Sequence, residues 1–218
     1  MIQRQTAGLI SMKATFLGIT FVGLTMILNG CGTVSEVTPT PGKEVDIRKY
    51  DRILVLDFAD GVTAQTKPSA QAKKKAEMAV RTKSFPDRIA IELGEQNVFK
   101  EVIRTGNPDS VTLVISGTIT RYTEGDAIGR MLIGFGAGSS YFDATVDFKD
   151  GSTSELLATQ KVDKNSWVLG GGIAATQTPD EFMQEAAKKL AENIAIAKTT
   201  GKFPEPPASA PPAHTGHH

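Results

Sequence analysis

One cysteine, Cys31, and three histidines, His214, His217 and His218, are the side chains here best suited to nucleophilic, acid–base or metal chemistry. The histidines lie within a Pro-rich end containing Pro204, Pro206, Pro207, Pro211 and Pro212, and this composition predicts disorder over residues 202–218. Their spacing would let two or three neutral imidazoles converge on a divalent ion, at the entropic cost of ordering a mobile tail. A polar, His-rich tail is the simpler reading, and no metal or cofactor is expected. A histidine general base is thereby removed from the rest of the chain. A lone thiol can neither close a disulfide within one chain nor build a multi-cysteine metal site. Gly-x-Ser-x-Gly is absent and no Ser-x-x-Lys stands in a catalytic setting, so the expectation is a protein that is not an enzyme.

The chemistry left to Cys31 is suggested by what precedes it. Residues 14–28 run without a charge after Lys13, and Asn29, Gly30 and Cys31 follow. As a helix this run reaches roughly 22 Å, short of the roughly 30 Å hydrocarbon core, which favours a cleaved export signal over a permanent span. Leu28-Asn29-Gly30-Cys31 resembles the lipobox of bacterial lipoproteins, with an aliphatic residue three before the cysteine and a small one beside it. Asn29 departs from the usual Ala or Ser. The resemblance implies cleavage before Cys31 and acylation of its thiol, and acyl chains at about 0.8 kcal/mol per buried methylene make attachment to the membrane effectively permanent. Gly32 is not the Asp that retains enterobacterial lipoproteins in the inner membrane, so the outer membrane is expected. Met12 is the expected true start, because Met12-Lys13 leads straight into the apolar run.

Other residues invite weaker chemical readings. Residues 134–139, Gly-Phe-Gly-Ala-Gly-Ser, could cradle an anion on backbone amides, but no Lys-Ser or Lys-Thr follows, and close backbone packing is the better account. Gly170, Gly171 and Gly172 after Trp167 read as a connection into a helix whose first turn already carries Asp180 and Glu181, which repel an anion. Arg121, Tyr122 and Arg130 are taken as a candidate partner surface. Lys73, Lys74 and Lys75 read as a solvated helix face, with attraction to an anionic membrane as the sharper alternative.

The elements that must carry these residues follow from composition and pattern. The chain has 218 residues, 40% apolar and 22% charged, which suits one folded domain. Its 24 bases balance 24 acids, and removing Arg4 and Lys13 with the export signal leaves a slight negative charge and no case for nucleic-acid binding. Residues 31–49, rich in Thr and Pro, read as a lipidated cysteine and flexible tether, and residues 50–201 as the domain. Strands are expected at 52–58, 98–104 and 111–120, and at 141–148 and 155–161 around a tight Asp150-Gly151 turn. Helix is expected at 70–81 and again after Pro86 towards Gly94, as one kinked helix or two short ones. The last helix is the best signalled: Thr178 as N-cap, Pro179, Glu181 closing a capping box, an apolar stripe of Phe182, Ala186, Leu190, Ile194 and Ala197, and Gly201 at its end. This order predicts an α+β fold, a two-layer sandwich of a mostly antiparallel sheet with helices on one face.

Two Gly-rich stretches, from Gly117-Thr-Ile-Thr-Arg-Tyr to Gly-Phe-Gly-Ala-Gly-Ser139 and from Asp163-Lys-Asn-Ser-Trp to Gly172, resemble the bacterial family named domain of unknown function 4410. The likeness runs over about residues 50–198. It implies an exported lipoprotein with a compact α/β domain, and it brings no established activity and no catalytic residue. At the level of fold analogy alone, the element order is similar to lipoproteins that activate peptidoglycan synthases or form curli-secretion pores. The expected function is a non-catalytic interaction or assembly module, anchored through lipid on Cys31 and facing an envelope protein or copies of itself. The alternative is a periplasmic small-ligand-binding protein or an envelope hydrolase.

Overall fold

The computed structural model describes residues 32–43, 45–125, 140–165 and 177–204. Among the described residues seven strands form one sheet: β1 (Gly32–Pro39), β2 (Arg52–Val55), β3 (Ala59–Asp60), β4 (Glu101–Ile103), β5 (Thr112–Thr123), β6 (Tyr141–Asp150) and β7 (Leu156–Asn165). Their order is β1-β7-β6-β5-β2-β4, with the short β3 beside β5. The long pairs β1·β7, β7·β6 and β6·β5 are antiparallel, while the short β2 and β3 run parallel to β5. Two helices, α1 (Gln71–Gln96) and α2 (Pro179–Thr200), cover one face. This is the α+β two-layer sandwich expected.

Strand alternation fixes which face is covered. Along β6, Phe142, Ala144, Val146, Phe148 and Asp150 are buried, while Tyr141, Asp143, Thr145, Asp147 and Lys149 are half-buried on the other side. α1 buries Met78, Phe85, Ile89 and Leu93, spaced by seven, four and four, against this face. Phe85 stands edge-on to both Phe58 (5.3 Å between ring centroids) and Phe142 (4.7 Å). Each such fully buried side chain contributes about 2 kcal/mol. α2 keeps its capping box, with Thr178 accepting from Glu181 N and Glu181 Oε2 accepting from Thr178 N at 2.6 Å. All five residues of its anticipated stripe are buried.

Pro86 sits inside one continuous α1, which decides between one helix and two short ones in favour of one. Proline lacks the N–H that would bond the carbonyl four residues back, at Thr82. That carbonyl accepts instead from Phe58 N at 2.9 Å, so the chain after β2 is bound to the helix where proline frees an acceptor.

Three boundaries differ from the sequence reading. The segment read as a free tether contains β1, which pairs Gly32 with Lys164 and Pro39 with Ala158; Gln160 Nε2 donates to the Ser35 carbonyl at 2.7 Å. Its strand state comes from β7 and not from its own composition. Asp150-Gly151 does not make a two-residue turn. A longer loop closes where Asp150 N bonds Glu155 O, with Ser154 at φ 60, while Gly151 is needed because a Cβ there would stand 2.5 Å from the Asp109 and Thr112 carbonyl oxygens. Phe203, assigned to the disordered tail, packs on Phe148 at 5.4 Å.

Candidate functional site

The antiparallel register gathers chemistry at one end of the sheet. A bulge between Ile119 and Arg121 shifts the phase of β5, so Arg121 opposes Asp143 on the open face and Tyr122 opposes Phe142 on the helix-covered face. Tyr122, expected on the same partner surface as Arg121, is therefore buried at 2% exposure with its ring on the opposite side of the strand. Its ring lies under two cations, Lys74 Nζ at 5.6 Å and the Arg81 guanidinium at 5.1 Å from the centroid. Burial pushes its phenol above the ordinary range, against the pull of Arg81. Arg81 also donates to Asp180 Oδ1 at 2.7 Å, and so ties β5, α1 and the first turn of α2 together.

Around this end, the chain after β3, the start of α1 and the end of β5 enclose a groove of about 610 Å³. Its walls include Thr66, Lys73, Lys74, Glu77, Arg121 and Glu124. Lys74 is neutralised by Glu77 at 2.5 Å and reaches the Tyr122 carbonyl at 3.4 Å. The groove is mixed in charge, which suits hydrogen bonding to a polar partner.

On the open face, Asp143 is paired in register with Asp163, and the Arg121 guanidinium stacks 3.4 Å from the Tyr141 ring centroid and 4.0 Å from Asp143 Oδ2. Burial first, and the Asp163 carboxylate second, push the Asp143 carboxyl up to about 6, with Arg121 opposing. Asp143 Oδ1 is buried and has no hydrogen-bond partner among the described residues, which fits a carboxyl that is readily protonated. The pair went unnoticed in the sequence because the register that brings Asp143 to Asp163 is a tertiary fact.

A second polar cluster, at the far end of the sheet, is structural. Asp150 Oδ1 accepts from Ser152 N and Oγ at 3.0 and 2.6 Å, and Oδ2 accepts from the Tyr50 hydroxyl at 2.7 Å and Lys49 at 3.2 Å. These donors hold its carboxyl far below the usual range, while burial and the same carboxylate push the Tyr50 phenol up to about 12.

Of the residues singled out by sequence, Arg121 and Tyr122 meet at the groove. Cys31, Arg130, the glycines of 134–139, Trp167, Gly170, Gly171, Gly172 and the three histidines lie outside the described residues. Among the described residues no cluster of three or more His, Cys, Asp or Glu could hold a metal ion, and no helix is long and apolar enough to cross a membrane.

Fold and site together define a two-layer α+β domain with one helix-covered and one open sheet face. The chain belongs to the family described as Domain of unknown function (DUF4410), whose sequence profile matches residues 53–170. No curated protein matches it. Among solved structures it is similar to the PelC dodecamer from Paraburkholderia phytofirmans (13% identity, TM-score 0.42, covering 73% of this chain and 94% of that one). It is also similar to a Xanthomonas campestris protein of the DUF330 family (12%, TM-score 0.40, 78% and 94%) and to a provisional lipoprotein from Caulobacter crescentus (14%, TM-score 0.33, 74% and 97%).

Proposed function

We propose that this chain is an exported lipoprotein, acylated on Cys31, anchored to the outer membrane and facing the periplasm, whose domain serves as a non-catalytic interaction or assembly module. The observation that carries the reading is the position of Cys31. It is the one thiol in the sequence, it ends a lipobox-like motif behind an uncharged run, and the next residue, Gly32, opens the edge strand β1. A thiol there is spent on lipid without disturbing the core. The open sheet face supports the second half of the reading. Strands β1, β7, β6 and β5 present a polar surface about 15 Å across and roughly 30 Å long, lined by Thr, Ser, Asp, Lys and Arg side chains, which supplies part of the roughly 800 Å² per side that a standard interface buries.

The test is crosslinking of the membrane-bound protein in intact envelopes, with and without Arg121→Glu on the open face. Capture of a defined envelope protein or oligomer, lost in the variant, supports an assembly role. The groove favours a second reading, a small polar ligand held near Lys73, Arg121 and Glu124. A ligand that raises the melting temperature of the wild type but not of Arg121→Glu, with no crosslinked species, would replace the first reading with the second.

A further inference from the structure

The register of β1 determines which end of the domain meets the membrane. This inference rests on the proposed acylation of Cys31. Gly32 pairs with Lys164, Lys164 with Phe142, and Phe142 with Tyr122, so β1 begins level with the end of β5. Consecutive Cα atoms are about 3.8 Å apart, so the acylated residue sits within one residue of the sheet, with no linker between lipid and fold. Both helices start at this end. Lys74 reaches Tyr122 and Arg81 reaches Asp180, whereas the far end of α2 places Lys198 on the Arg48 and Tyr50 carbonyls at 2.8 and 2.7 Å.

Ion pairing is distributed unequally between the two ends. At the far end Lys43, Lys49, Arg52 and Lys100 are matched by Glu155, Asp150, Glu101 and Asp51. At the anchored end Lys67, Lys73 and Lys75 are exposed and form no ion pair among the described residues, and Arg121, half-exposed, has its nearest carboxylate at 4.0 Å. Glu77 there is already taken by Lys74, which leaves Glu124 on the groove wall, with the exposed Asp163 and Glu181 also at that end. The positive end of the α1 dipole adds to this field, while Asp180 and Glu181 already occupy that of α2.

We propose that this end of the domain is a docking surface for an anionic phospholipid bilayer, with Lys67, Lys73 and Lys75 at the headgroups and the lipid on Cys31 holding them there. The short connection confines the three lysines to within a Debye length of the surface, where a polybasic patch gains most from anionic headgroups. The far end then points away from the membrane, and the open sheet face stands across the membrane plane, free for a partner at its side.

The experiment uses the mature protein purified from the membrane fraction and placed on vesicles of phosphatidylcholine alone or with phosphatidylglycerol. An N-terminal mass first reads the lipid on Cys31. Lysines are then acetylated with a water-soluble reagent and quantified by peptide mass. On phosphatidylglycerol vesicles Lys67, Lys73 and Lys75 should react about five-fold more slowly than on neutral ones. Lys43, Lys100 and Lys202 should not change, and 0.5 M salt should abolish the difference. In Lys73→Glu/Lys75→Glu, Lys67 should lose its protection, whereas Lys202→Glu should leave it intact. Lipid on Cys31 with equal acetylation on both vesicles overturns the docking surface and leaves the anchor standing. Protection without lipid on Cys31 overturns the anchor and leaves the surface standing.

Discussion

Three residues carry most of the testable weight. Asp143 has its carboxyl raised from 3.8 to about 6, so between those values the folded chain binds a proton that the unfolded chain does not. Stability therefore falls as pH rises through that window, and the penalty is fully present above it. Asp143→Asn should raise the melting temperature at pH 7.5, by about 1 kcal/mol of stability after allowing for partial exposure, and give no gain at pH 3.5. Equal effects at both pH values would show that the pair is not the cause. Asp150 has the opposite sign. Its depressed carboxyl contributes stability above the ordinary carboxylate range, and that contribution is lost as pH falls towards its folded value. Asp150→Ala should cost about 2–4 kcal/mol in urea melts at pH 7, because Ser152, Thr153, Tyr50 and Lys49 lose one shared acceptor. Gly117 is a matter of space alone: a Cβ there would strike the Thr145 carbonyl and lie 2.5 Å from the Phe58 ring. Gly117→Ala should destabilise by about 2 kcal/mol or more.

At the scale of elements, the capping box of α2 offers a direct check. Thr178→Ala removes the acceptor for Glu181 N and should cost about 1 kcal/mol, with the loss seen as faster amide exchange in the first turn of α2. Unchanged exchange there would mean that Asp180 and its arginines hold the turn without the cap. That helix was legible residue by residue because its signals are local: a cap, a proline, an acid three residues on, a stripe and a closing glycine. The dense β-branched run of β5 and the pairing of β6 with β7 were legible for the same reason. β1 was not, since Gly32–Pro39 has no period of its own and acquires strand structure from β7. Nor was the bulge in β5, which moves Tyr122 to the covered face while the residue types on either side stay ordinary. The Asp143 and Asp163 pairing depends on register, which no single strand encodes. The proline in α1 left one helix or two open, because what offsets its cost is Phe58, distant in sequence, which takes the carbonyl it frees.

For the whole molecule, the start of β1 one residue after Cys31 sets what the proposed acylation would do. A flexible tether would let the domain stand off and turn freely, whereas attachment at the first residue of an edge strand orients the sheet. On the proposed acylation of Cys31, stability, orientation and partner access would share one element, since β1 would be at once the edge of the sheet and the way to the lipid. All of this depends on the chemistry of Cys31. The most direct test is the mass of the N-terminal peptide from membrane-purified wild-type protein, alongside fractionation of Cys31→Ser. Lipid-modified Cys31 as the first residue, with the variant displaced from the membrane fraction, is the predicted result. An unmodified thiol in the wild type, or a variant that stays membrane-bound, would contradict it.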